Sequence, residues 1–158
     1  MAEDDHRLAE RLAVEAGALL VELREELWRR GAHPWQVMDT GDVASHRFLM
    51  QELGAARPDD CVLSEEGADD RRRVGADRVW IVDPLDGTNE YGEPGRVDWA
   101  VHVALWEKGL LVAGAVSLPA LGLVHCTHPA PQVPPAERDV PIIVTSRNRT
   151  PWLAVSIG

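Results

Sequence analysis

The sequence contains little that would place it outside a cell or in a membrane. It has only 2 cysteines, Cys61 and Cys126, and neither has a CxxC or other metal-ligand spacing. We therefore expect two reduced, mostly buried thiols. No apolar run approaches the roughly 20 residues that a bilayer-spanning helix needs. The first residues, Met1 to Asp5, are acidic where a signal peptide would be basic, so we predict a cytoplasmic protein.

Positive charge is also scarce. The chain has 16 Lys and Arg against 26 Asp and Glu, a formal net charge of -10. This balance argues against a nucleic-acid polymer or an anionic membrane as partner, because both attract basic surfaces. It does not exclude a small phosphorylated metabolite as partner, because divalent cations can lie between acidic side chains and a phosphate. The 158 residues, 45% of them hydrophobic, suffice for a domain with its own core.

Two short apolar runs end in acidic residues. The run that ends at Val82 continues as Asp83-Pro84-Leu85-Asp86-Gly87-Thr88, and the run that ends at Ser64 continues as Glu65-Glu66. We interpret both runs as strands that deliver carboxylates to one small volume. A capped Asp-Pro turn with no further role is the alternative for the first string, and it would be favoured if that string stood alone.

Leucine spacing predicts an amphipathic helix over about His6 to Arg30, with Gly31 as its stop. Within it, Gly17 would allow close packing against a neighbour. Core packing is the favoured role of this helix, and partner binding is the alternative.

A second helix is predicted to start at the turn Asp39–Asp42 and to run to about Ala56, after a connector at His33–Trp35. Asp42 is then either the N-cap of this helix or a residue of the site, and the sequence leaves both open.

Strands are predicted at Cys61–Ser64, Arg78–Val82, Trp99–Trp106, Leu110–Leu118, Leu121–Thr127 and Pro141–Thr145. Tight turns between the third, fourth and fifth of these predict an antiparallel meander. Both faces of the strand Trp99–Trp106 are largely apolar, so we expect it to be covered on both sides. The predicted fold class is α+β, with two N-terminal helices packed on a largely antiparallel sheet.

The carboxylates of Glu65, Asp83 and Asp86 would repel one another without a counter-charge. Mg²⁺ resolves this repulsion, because it prefers oxygen ligands and keeps positions for water and substrate phosphate. The Leu85 carbonyl could also face the metal, and Gly87 and Thr88 would open a helix whose N–H groups can bind a phosphate oxygen. These features predict a metal-dependent hydrolase of phosphate esters.

The strings D-P-L-D-G-T and E-E, with their order and separation, resemble the inositol monophosphatase superfamily of Mg²⁺-dependent, lithium-sensitive phosphatases. The similarity runs from about Leu8 to Arg147. Thr88-x-Glu90-Tyr91 and Asp98–His102 resemble the 3′(2′),5′-bisphosphate nucleotidase branch. The resemblance implies the N-terminal half of a layered αβαβα sugar-phosphatase fold. It also implies hydrolysis of 3′-phosphoadenosine 5′-phosphate or a related nucleotide of sulfur assimilation, with inositol monophosphate and fructose bisphosphate as alternative substrates.

The resemblance implies a role for each site residue. Glu65 would bind the first metal and orient the attacking water, Asp83 would bridge two metals, and the Leu85 carbonyl would complete the first site. Asp86 would bind the second metal and, with Gly87 and Thr88, the phosphate. Asp42 would assist the water or a third metal, although Asp39 replaces the family's usual threonine three residues before Asp42. Thr88 would be catalytic as well as a phosphate contact.

One feature of the resembled family has no counterpart in this chain. The second half of that fold supplies a Trp-Asp pair whose aspartate completes the second metal site, and the chain contains no such pair. The resemblance thus implies a truncated member: an N-terminal α+β metal-binding domain over 1–128, then a linker and the start of a C-terminal α/β domain over 129–158. A noncatalytic remnant that acts only with another chain is the alternative, and an uncovered face would favour a homo-oligomer.

Overall fold

A computed structural model describes residues 3–68 and 70–135. The helices are α1 (Asp5–Arg29), α2 (Pro34–Ala56) and α3 (Thr88–Tyr91), and the strands are β1 (Cys61–Ser64), β2 (Arg78–Asp86), β3 (Ala100–Glu107), β4 (Leu110–Leu118) and β5 (Leu123–Cys126). Within these ranges no helix combines the length and apolar character needed to cross a bilayer. The predicted strand Pro141–Thr145 and most of the predicted segment 129–158 lie outside the described residues.

The first helix is confirmed. It starts after Asp4, whose side chain accepts a hydrogen bond from the Arg7 N–H at 2.9 Å and so satisfies one free amide of the first turn. It ends at Arg29, and Gly31 follows with a φ of 74°, a conformation that glycine adopts at little cost. Its apolar stripe is buried, which confirms core packing as its role: Leu8, Ala9, Leu12, Ala13, Ala16, Gly17 and Leu20.

Gly17 is where α1 approaches the sheet most closely. A Cβ on this residue would lie 2.5 Å from Cγ of Pro119, which follows β4, and 3.0 Å from the Ser117 hydroxyl. The rigid proline ring cannot move aside as a flexible side chain would. The predicted close packing at Gly17 is therefore confirmed.

We expect Gly17→Ala to lower the free energy of unfolding by about 1–3 kcal/mol, because the added methyl overpacks this contact. The matched control is Gly54→Ala in α2, where a Cβ meets nothing within 4 Å. That change should raise stability by up to about 1 kcal/mol, since alanine favours a helix. Urea unfolding of both variants measures the difference, and equal stabilities would contradict the contact.

The start of the second helix was predicted wrongly. It begins at Pro34, and its N-cap is His33, which exchanges two hydrogen bonds with the first turn through a capping box with Gln36. Proline suits the first helical position because its φ is already helical and its missing N–H is not needed there. Asp39–Asp42 therefore lies inside the helix, and Asp42 is not an N-cap.

The five strands form one mixed sheet in the order β1-β2-β3-β4-β5. β1 and β2 pair in parallel, and every later pair is antiparallel. The meander β3-β4-β5 is thus confirmed, as is the α+β class with two N-terminal helices. In the parallel pair Ser64 is the register partner of Val82, so the acidic residues that follow both positions leave the same edge of the sheet.

The two faces of β3 differ. Val101, Val103 and Leu105 are buried in the core that α1 and α2 cover. On the opposite face Ala100 is buried, whereas Ala104 and Trp106 are only half-buried. Within the described part of the chain, the prediction that this strand is covered on both sides therefore holds only near its start, because both long helices supply apolar residues to a single core.

Candidate functional site

The two acidic strand ends meet, as the sequence predicts. The Glu65 N–H donates to the Val82 carbonyl at 3.3 Å, which continues the β1–β2 ladder by one residue and brings Glu65 beside Asp83. The two carboxyl groups are close enough to hydrogen-bond when one of them is protonated. Two strand ends 18 residues apart in the chain thus place acidic side chains in direct contact.

Negative charge accumulates at this contact. Burial, and then the charges of Glu65 and Asp86, raise the pKa of Asp83 from 3.8 to about 6. The carboxyl thus holds its proton to a higher pH than an ordinary aspartate. Such a shift marks a group whose charged form lacks a counter-charge, which is common at functional sites.

Asp83 also shapes the turn that follows it. The Leu85 N–H donates to Asp83 Oδ1 at 3.2 Å, and the register with β3 shifts between Asp83 and Asp86. The Asp83 side chain therefore caps the local backbone, as the Asp-Pro turn predicts. The same carboxyl also lies beside Glu65. Gly87 then adopts a φ of 82° and precedes α3, the helix predicted to open at Gly87 and Thr88.

Asp86 has its own hydrogen-bond partner beside the Glu65–Asp83 contact. Its side chain is 61% exposed, and Oδ2 lies 3.2 Å from Nε2 of His102 on β3. Asp86 is near enough to raise the pKa of Asp83 through its charge. The structure thus places it at the rim, where a histidine is its hydrogen-bond partner.

Asp42 faces the site from the middle of α2. The Thr88 hydroxyl lies 3.4 Å from Asp42 Oδ1 and 3.0 Å from the Leu85 carbonyl. Burial, and then the charge of Glu66, raise the pKa of Asp42 to about 6. Of the two alternatives for Asp42, the cap is excluded, and the residue lies beside Thr88.

The donor chemistry of this site fits Mg²⁺, which proteins usually hold through one or two carboxylates, with water and substrate phosphate completing the shell. Glu65 and Asp83 supply such a pair, and their unbalanced negative charge favours a cation. Within residues 3–68 and 70–135, no three His, Cys, Asp or Glu side chains converge as a metal-binding group. The Asp86 carboxyl is paired with His102, and its charge still acts on Asp83.

Sequence reasoning missed three residues that contact these turns. These residues are His102 on β3 and Ser45 and His46 on α2. Ser45 and His46 lie three and four positions after Asp42, so helical spacing puts them on its face of α2. That spacing was available as a signal, but the late predicted start of the helix obscured it.

Sequence comparisons identify relatives of this chain. The sequence model described as "Inositol monophosphatase family" matches residues 6–129. A 3′-phosphoadenosine 5′-phosphate phosphatase of Mycobacterium leprae is 47% identical over 127 residues, which cover 75% of this chain and 46% of the relative. An inositol-1-monophosphatase of the same organism is 36% identical, over 75% of this chain and 45% of the relative.

A solved structure has the same fold. The crystal structure of inositol monophosphatase II from Staphylococcus aureus superposes with a TM-score of 0.66 at 25% identity, over 75% of this chain and 44% of that one. The chain thus spans less than half the length of these relatives. The family match extends over most of this sequence and includes both acidic strand ends. The chain belongs to the inositol monophosphatase family.

Proposed function

We propose that this chain carries the catalytic half-site of a Mg²⁺-dependent phosphatase that acts on small phosphate monoesters. The contact between Glu65 and Asp83, with the raised pKa of Asp83, carries the proposal. When bound, Mg²⁺ would neutralise the carboxylates and the substrate phosphate and would polarise the attacked phosphorus. Glu65, Asp83 and the Leu85 carbonyl would hold the first ion, and Asp83 with Asp86 the second.

The neighbouring residues have roles that their contacts support. The Thr88 hydroxyl is poised between Asp42 and the Leu85 carbonyl, so it can pass a proton from an attacking water to Asp42. Burial is the first cause of the raised pKa of Asp42, and it makes this carboxylate a better proton acceptor than an ordinary aspartate. Glu65 would orient the same water, and Asp86, Gly87 and Thr88 would contact the phosphate.

The substrate we propose is 3′-phosphoadenosine 5′-phosphate or a related 3′(2′),5′-bisphosphate nucleotide. The relative with 47% identity is named for this substrate, whereas the inositol-1-monophosphatase relative reaches only 36%. Inositol monophosphate is therefore the second candidate. This chain spans under half of either relative. Contacts to the leaving group from the part of the fold that it does not span would decide between the two substrates.

We expect phosphate release from the bisphosphate nucleotide to exceed release from inositol 1-phosphate, and to stop when EDTA removes Mg²⁺. Thr88→Val, which keeps the side-chain shape and removes the hydroxyl, should lower kcat by about 100-fold or more. Thr88→Ser keeps the hydroxyl and should retain most activity. A malachite-green assay of released phosphate measures all of these.

The control for the substitutions is Asp59→Asn, an exposed aspartate in the turn before β1. It should behave as the unchanged chain does. Equal loss in Thr88→Ser and Thr88→Val would contradict the role of the hydroxyl. Release that persists in EDTA would contradict the metal dependence, and absence of release from either substrate by the folded chain would contradict the proposed activity.

A further inference from the structure

We propose that Ser45 and His46, consecutive residues of α2, are positioning residues that hold the two acidic turns at a set separation. We call them the α2 clamp. One side chain binds the Asp83–Asp86 turn and the other binds the Glu65–Glu66 turn. The consequence for metal binding rests on the proposed function, whereas the effect on the two turns does not.

The first arm is Ser45. Its side chain is fully buried, and Oγ donates to the Pro84 carbonyl at 2.7 Å. Pro84 lies between Asp83 and Leu85, in the stretch where the register of β2 against β3 shifts. A buried hydroxyl that binds a carbonyl here fixes the backbone at a point where the regular ladder is interrupted.

The second arm is His46. Nδ1 lies 2.9 Å from Oγ of Ser64, a buried residue that directly precedes Glu65. The hydroxyl can donate or accept, so either tautomer of the ring supports this bond. The Ser64 backbone carbonyl accepts from the Gly67 N–H at 3.2 Å, and this bond closes the turn that carries Glu65 and Glu66.

The imidazole also limits the space above this turn. A Cβ on Gly67 would lie only 3.2 Å from Cε1 of His46. The ring thus binds the Ser64 hydroxyl at one end of the turn and leaves little room for a side chain at Gly67 on the other. Glu65 and Glu66 lie between these ends, so displacement of the ring releases the backbone that orients their carboxylates.

The two arms act together because they are adjacent on one rigid helix. β1 and β2 pair with each other up to Ser64 and Val82, and one further bond from the Glu65 N–H to the Val82 carbonyl extends this ladder. Beyond that bond, the separation of the two acidic turns depends on side-chain contacts. A change of about 1 Å there would matter, since ligands must be oriented by the groups behind them. The clamp thus sets the distance between Glu65 and Asp83.

The experiment compares His46→Ala, His46→Asn, Ser45→Ala and the double Ala variant with two controls. Asn keeps a polar atom near the position of Nδ1, so it tests rescue. The control His6→Ala removes the same kind of bond, His6 Nδ1 to Thr127 Oγ1 at 2.7 Å, at the N-terminus of α1. The control Ser117→Ala removes a buried hydroxyl of β4, beside Gly17.

Two measurements are made. Amide hydrogen exchange by NMR follows Glu65 and Gly67, whose N–H groups bind Val82 and Ser64. Electron paramagnetic resonance follows the binding of Mn²⁺ as a probe of the metal site. Exchange needs no bound metal, so it tests the clamp even where the metal site itself fails.

We expect both His46→Ala and Ser45→Ala to weaken Mn²⁺ binding by about 10-fold or more, as removal of groups behind metal ligands commonly does. Exchange at Glu65 and Gly67 should accelerate in His46→Ala and recover in His46→Asn. Both controls should leave Mn²⁺ affinity and these two amides unchanged, even where they lower global stability.

The clamp would be overturned if amide exchange and Mn²⁺ affinity in His46→Ala and Ser45→Ala remained as in the unchanged chain. It would also be overturned if these variants lost no more Mn²⁺ affinity than the two controls. Absence of Mn²⁺ binding to the unchanged chain would overturn the proposed function instead. In that case accelerated exchange in His46→Ala alone would still support the clamp, and unaltered exchange would overturn it as well.

Discussion

Asp83→Asn should make the metal-free protein more stable while it removes the response to Mg²⁺. Asparagine keeps the size of the side chain and can still accept the Leu85 N–H, but it ends the repulsion with Glu65 and Asp86. Because Asp83 is only partly buried, solvent screening reduces the gain, and we expect about 1 kcal/mol at pH 7.5. For a chain of this size that is roughly 3 °C in melting temperature.

The effect should depend on pH with a defined sign. The pKa of Asp83 is raised from 3.8 to about 6, so between these values the folded state binds more protons than the unfolded chain. Stability contributed by this group is therefore present at low pH and is lost as pH rises through about 6. The advantage of Asp83→Asn should be absent near pH 4, grow toward pH 6 and then stay constant.

Mg²⁺ should make the unchanged protein more stable than Asp83→Asn, the reverse of their order without metal. At a Mg²⁺ concentration about tenfold above the dissociation constant, linkage adds about 1.4 kcal/mol to the unchanged protein. The variant should gain little, and its phosphate release should fall by about 1000-fold, given the several kcal/mol that a metal contributes to such reactions. Thermal unfolding in EDTA and in Mg²⁺ at several pH values measures this.

Asp59→Asn serves as the control, because that aspartate is exposed and distant from both acidic turns. Its melting temperature should follow the unchanged protein in both conditions. A destabilised Asp83→Asn in EDTA would contradict the unbalanced charge at this contact. An Asp83→Asn that still gained stability from Mg²⁺ would contradict the role of Asp83 as a ligand.

Asp60→Ala should cause the largest loss of stability, about 3 kcal/mol, or roughly 10 °C in melting temperature. Asp60 binds two groups at the start of β2: the Arg78 guanidinium at 3.0 Å and the Trp80 indole N–H at 2.9 Å. The indole is fully buried, so its donor would be left unsatisfied at a cost of about 1–3 kcal/mol.

The guanidinium adds to this loss. Arg78 would keep its ion pairs with Asp5 and Glu107. The stability lost through Arg78 is therefore smaller than the loss from a charge left wholly unpaired. Asp60→Asn should lose about half as much, because the amide oxygen can still accept from the indole. Urea unfolding measures these values.

The neighbouring Asp59→Ala is the matched control, since Asp59 is exposed while the Asp60 side chain is only 10% exposed. A surface change of this kind should stay within about 0.5 kcal/mol. Equal stabilities of Asp59→Ala and Asp60→Ala would contradict the network. The proposed phosphate release should survive Asp60→Ala below its melting temperature, because Asp60 lies at the opposite end of β2 from Asp83.

The sequence predicted much of the fold because local signals agree with the global structure. Leucine spacing indicated α1, and tight turns indicated the β3-β4-β5 meander. It failed at α2, where the turn-like string Asp39–Asp42 was given more weight than Pro34. The string lies within a helix because the capping box at His33 starts the helix earlier and packing on the sheet continues it.

The sequence by itself determined that two short apolar runs end in carboxylates and which family the chain resembles. These follow from residue order and composition. Only the tertiary structure decided what the carboxylates face: Thr88 reaches Asp42 across 46 residues, Ser45 reaches Pro84 across 39, and His46 reaches Ser64 across 18. Such meetings depend on how α2 packs against two strand ends, and no spacing along the chain encodes that packing.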